Sequence, residues 1–135
     1  DRRLVMAQWG EIAAASEAWL YEVLALPFRI KVVTTATEVR EDPRSGRDHL
    51  YPNLQTNIRY DMAVYFSLVA NMFVAQVEDR EVWCATSRPH PRITTKDRYA
   101  EPRTWIDPTA AKFLGHCQGK EEPESQREQK IGTGL

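Results

Sequence analysis

The chain is poor in the residues that carry most enzyme chemistry. Its 135 residues include two cysteines, three histidines and six glycines. Cys84 and Cys117 cannot build a disulfide framework, and neither lies in a CxxC or CxxH spacing suited to zinc. A reducing compartment, mitochondrial matrix or cytoplasm, is therefore expected, with Cys84 acting as a small buried apolar residue. His49, His90 and His116 are isolated from one another, and His116 beside Cys117 does not converge on one metal. The chain contains no GxxxxGKS, GxGxxG, HExxH or GxSxG, so the usual sequence routes to phosphate cradles, dinucleotides, zinc hydrolysis and acyl transfer are missing. No cofactor and no metal are expected. Nor is there a long apolar run. The longest, residues 62–77, is interrupted by Ser67, Asn71 and Gln76 and falls short of the roughly 20 residues that span a bilayer. A net charge of −1 gives no global attraction to nucleic acid or anionic membrane.

What is present is enough for one domain with a real core, since 42% of the residues are hydrophobic. Residues 3–25 are expected to form one helix. Val5, Trp9, Ile12, Ser16, Trp19, Val23 and Leu26 step by three and four, alanines 13–15 and 18 favour helix, Asp1 offers a cap and Pro27 a stop. Residues 28–38, within FRIKVVTTATEV, predict a strand because β-branched residues dominate. Pro43, Ser45, Gly46, Asp48, Pro52 and Asn53 predict a surface loop over 41–53. In residues 58–67, Ile58, Tyr60, Met62, Val64 and Phe66 alternate with Arg59, Asp61, Ala63 and Tyr65, the period of a half-buried strand. Residues 73–85 would return antiparallel to it. Ile58, Met62, Tyr65, Val69 and Met72 also fit a helical stripe, and that alternative stays open.

From Ser87 the texture changes. Pro89, Pro91, Pro102 and Pro108 break long elements, and Arg88, Arg92, Lys96, Arg98, Arg103 and Lys112 outnumber Asp97, Glu101 and Asp107. This basic arm is expected to lie extended on a partner. Arg88, Arg92, Lys96, Arg98, Arg103 and Trp105 are the candidate contacts, through phosphates if the partner is RNA and through the aromatics if it is protein. Residues 108–114 suggest one short helix. Residues 115–135 are polar enough to be an extended or disordered tail. The expected units are thus 1–87, 88–114 and 115–135.

Three segments resemble one known family in that family's order. Residues 11–33, EIAAASEAWLYEVLALPFRIKVV, are similar to the helix and strand of class II aminoacyl-tRNA synthetases, above all seryl-tRNA synthetases. Residues 60–66, YDMAVYF, resemble that group's YDIEVWF strand, and residues 80–87, REVWCATS, its REVSSCSN strand. The resemblance implies an antiparallel catalytic sheet and places Glu81 where a carboxylate would stand near ATP and its metal. It also exposes departures. Thr35-Ala36-Thr37-Glu38 replaces GDLG, Ala63 replaces the mid-strand acid, Cys84 replaces a serine, and the family's FRxE and GxGxxxGR arginine motifs have no counterpart. Without those arginines the adenylate transition state loses its main electrostatic clamp.

The fold class expected from these readings is α+β. A long N-terminal helix packs on an antiparallel sheet, followed by an irregular basic arm and a polar C-terminal tail. The expected function is that of a non-catalytic, synthetase-like subunit of a larger assembly, contacting protein subunits or RNA, with Glu81 vestigial; an organellar ribonucleoprotein is one home. Two other readings stand beside it: a divergent class II synthetase fragment, and a virion or phage assembly protein.

Overall fold

A computed structural model describes residues 6–54 and 56–135. The fold is α+β, with a long N-terminal helix and antiparallel sheets. Asp1 and Val5, expected to cap and begin the first helix, lie outside the described residues. That helix, α1, runs Met6–Ala25. It ends before Pro27, and Lys31 Nζ donates to the Leu24 carbonyl at 2.7 Å, meeting one of the carbonyls that a helix C-terminus leaves open. Leu20 is its one buried residue. Trp9, Ile12, Trp19 and Tyr21 remain exposed.

Among the described residues, the segment that follows pairs with no strand. Across 31–36 exposure alternates residue by residue, as in an extended chain. Yet pairing begins only at β1 (Thr37–Glu41), which forms an antiparallel hairpin with β2 (Asp48–Pro52). The strand expected over 28–38 is therefore corrected to a short strand preceded by an unpaired segment, and the loop expected over 41–53 is in fact half strand. Asp42 organises the turn. Its carboxylate accepts from Ser45 Oγ at 2.7 Å, Arg44 N at 3.1 Å and Tyr51 Oη at 3.2 Å. The Ser45 hydroxyl and then the Arg44 amide hold this carboxyl below its ordinary value.

The strand expected over 58–67 is corrected to a helix, α2 (Thr56–Tyr65). Ile58 and its neighbour Arg59 are both buried, which does not fit a strand with only one buried face, because successive side chains point to opposite faces. The helical stripe wins over the alternation. Tyr65 meets Tyr21 of α1 edge-on, ring centroids 5.7 Å apart. The Tyr21 hydroxyl contact is the leading reason that the Tyr65 phenol is pushed up to about 12.

The hairpin lies further on. β3 (Leu68–Val69) later pairs with β6 (Lys96–Asp97). β4 (Asn71–Val77) and β5 (Arg80–Thr86) pair antiparallel around Glu78 and Asp79, whose φ values of 49° and 62° are those of a type I′ turn. β7 (Thr104–Ile106) joins the far edge of β5. The chain ends in α3 (Ala110–Cys117), capped by Thr109, and α4 (Gln126–Ile131), opened by a capping box of Ser125 and Glu128. The expectation of an extended or disordered tail over 115–135 is thus corrected. The core sits here: Cys84, Ala85, Thr86, Ser87, Thr104, Trp105 and His116 are all at most 1% exposed. Among the described residues no helix is long and apolar enough to cross a membrane, and both cysteines are free thiols.

Candidate functional site

The densest polar constellation is built where β5, β7 and the last thirty residues meet. Ser87 follows β5, and its hydroxyl donates to Asp97 Oδ2 at 2.9 Å while accepting from Arg103 N at 3.1 Å. The same Asp97 oxygen lies 2.6 Å from His116 Nε2, and the other ring nitrogen meets Glu121. The His116 and Asp97 side chains are fully removed from solvent. Glu121 also receives Trp105 Nε1 at 3.3 Å and Arg103 at 3.0 Å. Arg103 reaches the Glu122 carbonyl at 2.7 Å and Glu128 at 3.2 Å, and its guanidinium lies 5.6 Å from the Trp105 ring centre.

Two carboxylates take the place of a fourth strand. Glu124 accepts from Thr104 N at 2.8 Å, and Glu128 accepts from Ile106 N at 3.1 Å. These are the N–H groups that β7 turns away from β5. Burial pushes the Glu128 carboxyl up, but the amides of Ser125 and Ile106, the Ser125 hydroxyl and Arg103 together outweigh it and hold it below its ordinary value.

This cluster contains a serine, an aspartate and a histidine, yet it is not a nucleophilic triad. The Ser87 hydroxyl faces Asp97 instead of a histidine nitrogen, and all three groups are sealed from any substrate. Asp97 and Glu121 occupy opposite ring nitrogens of His116, so no single ion could contact all three. Among the described residues no cluster of His, Cys, Asp or Glu is arranged to hold a metal. Burial, reinforced by the charges of Asp107 and Glu128, raises the Cys84 thiol. That is the opposite of what a reactive cysteine needs.

The residues singled out from sequence are divided by the structure. Arg103 and Trp105 belong to the buried cluster, and Arg88 is tied to Glu124 at 2.5 Å. Lys96 Nζ donates to the Ala63 carbonyl, and desolvation, with Arg98 nearby, lowers its pKa. These four therefore hold the arm onto its own domain, which corrects the expectation of an arm lying extended on a partner. Arg92 and Arg98 remain exposed. Glu81 is exposed on β5, where it accepts from Gln76 Nε2 at 3.3 Å. Its segment does form an antiparallel strand, but opposite β4 and not opposite residues 60–66, which lie on α2.

Open surfaces remain among the described residues. Phe28, Ile30 and Val32 are 64%, 53% and 80% exposed along the unpaired segment. Met72, Val74 and Trp83 are exposed on β4 and β5, with Val74 directly opposite Trp83. A groove of about 810 Å³ lies between α1, the start of the β1–β2 hairpin and α2. Sequence reasoning missed the buried network altogether, although Ser125-x-x-Glu128 is a helix-opening signal. Protein-family models, curated proteins and solved structures were all compared with this chain, and none matches it.

Proposed function

We propose that this chain is a non-catalytic structural subunit that docks into a larger assembly through protein surfaces. One observation carries the reading. Residues 30–35 are extended and rich in β-branched side chains, and among the described residues none of their backbone groups bonds to another backbone group. A chain in this state offers a ready ladder for another strand, with Ile30 and Val32 giving that strand an apolar face. The exposed Val74–Trp83 pair supports the same reading, since aromatic anchors dominate protein interfaces. The polar residues that could have served catalysis are instead spent on internal bonds, in a cluster that excludes solvent.

Contact with RNA is the weaker form of this proposal, because of the six basic-arm candidates only Arg92 and Arg98 stay exposed. The test is hydrogen exchange on the isolated chain and on the chain within its native assembly. Amides 30–35 should exchange freely in the first and be protected in the second. Val32→Pro, which removes a ladder donor from an unpaired site, should block incorporation while leaving circular dichroism unchanged. Normal incorporation of that variant, with incorporation lost in Arg92→Ala/Arg98→Ala instead, would replace the protein-docking reading with the RNA one.

A further inference from the structure

We propose that the groove beside α1 binds an amphipathic carboxylate: a single carboxylate carried on an alkyl body. Part of the wall is apolar, with Trp9 47% and Trp19 53% exposed and the buried Leu20 and half-buried Phe66 behind them. A surface of this kind gains most from an apolar chain laid along it. The polar part of the wall has a definite sign. Arg40 and Arg59 both line the groove, and one carboxylate, Glu38, serves both, at 3.0 Å from Arg40 Nε and 2.8 Å from Arg59 Nη2. Two guanidiniums against one carboxylate leave one positive charge over.

The sharper sign is that Arg59 is not satisfied. The residue is 7% exposed, and its Nε–H is buried without an acceptor among the described residues. The shared Glu38 Oε1 lies close to both arginines but is aligned as a hydrogen-bond acceptor for neither. Arg88 and Arg103 also carry an Nε–H without an acceptor, but of the three only Arg59 lines this groove, where a carboxylate can meet its guanidinium through paired N–H groups. An incoming carboxylate would accept from Arg59, offset the spare charge and bring its alkyl chain against Trp9 and Trp19. A cationic or neutral chain of the same length would gain only the apolar contact. Charge therefore selects the ligand class, and the tryptophans supply a signal.

The test is calorimetric titration of the full chain with sodium dodecanoate below its aggregation concentration, in parallel with dodecyltrimethylammonium and dodecanol, while tryptophan fluorescence is followed. Dodecanoate should bind one to one and about tenfold tighter than either comparator. Arg59→Gln should abolish that preference. Because Arg59 is buried and its loss could disturb the fold, Arg40→Gln and Trp19→Ala, both at exposed positions, provide the second arm and should each weaken dodecanoate binding about three- to tenfold. The proposal is overturned by absent or non-saturable binding, by equal affinity for the three chains, or by dodecanoate affinity unchanged in both surface variants. It is equally overturned if sedimentation finds the unliganded protein already dimeric with Trp9 and Trp19 shielded, since a second copy would then be the occupant.

Discussion

Replacing Glu128 by alanine should cost this domain a large part of its stability. The side chain is 8% exposed and accepts from Ser125 N at 2.9 Å, Ile106 N at 3.1 Å and Arg103 Nη2 at 3.2 Å. The three losses are unequal. Ser125 is exposed, so its amide can turn to water. Arg103 keeps Glu121 and the Glu122 carbonyl, so its charge is not stranded. The Ile106 amide has no substitute. One orphaned buried donor costs about 1–3 kcal/mol, and a weakened charged bond adds about 1 kcal/mol more, so the sum is about 2–4 kcal/mol. In a domain of this size that lowers the melting temperature by about 10 °C, out of a total stability of about 5–15 kcal/mol. Urea unfolding followed by tryptophan fluorescence measures it, with Trp105 lying inside the cluster. Glu122→Ala is the control, because Glu122 is exposed and lends the cluster only its carbonyl; it should stay within about 0.5 kcal/mol of the parent. If the two variants unfold at the same urea concentration, the carboxylates do not hold the sheet edge and the reasoning fails.

Two further outcomes follow from the same contacts. Because Glu128 and Asp42 both have folded pKa values below their ordinary ones, their contribution is complete above the carboxylate range and disappears as pH falls through the lower, folded values. Urea midpoints should therefore be nearly flat from pH 7 to about pH 5 and fall below that, and a Glu128→Ala variant should show a shallower fall; a midpoint that rises on acidification contradicts this. Removing Arg92 and Arg98 together should leave thermal stability nearly unchanged, whereas removing Arg88 and Lys96, which reach Glu124 and the Ala63 carbonyl, should lower it. Calorimetry giving equal shifts for the two pairs would contradict the division of the arm into anchoring and exposed cations.

What could be read from the sequence was local. The first helix was legible because alanines and a terminal proline act within a few residues. The helix after Pro108 was legible for the same reason. The hairpin was misplaced because Tyr, Phe, Val and Ile over 58–66 satisfy both periods, and the joint burial of Ile58 and Arg59 fits the helix and not a strand with one buried face. Its real turn, Glu78-Asp79, contains no glycine, so the residues that usually announce such a turn were missing, although aspartate tolerates positive φ. The tail was misread for a different reason. Composition counts Glu121, Glu124 and Glu128 as solvated charges. Here Glu128 is buried and Glu121 and Glu124 are half-buried, held by Arg103, Arg88, the Trp105 indole and the Thr104 and Ile106 amides, which lie 16 to 36 residues away. No window-based reading contains both halves of such a pair.

The replacement of a strand by carboxylates also fixes an order of events during synthesis. β7 leaves the ribosome before the residues that cover it, since Glu124 and Glu128 follow their amide partners by 20 and 22 residues. At about 5–20 residues per second that is an interval of roughly one to five seconds. Throughout it β4, β5 and β7 can already pair while the Thr104 and Ile106 amides point outward at any passing strand. The nascent sheet is therefore most prone to wrong pairing just before it is finished. A ribosome stalled with Ile106 outside its exit tunnel and Glu124 still inside would hold the chain in that state.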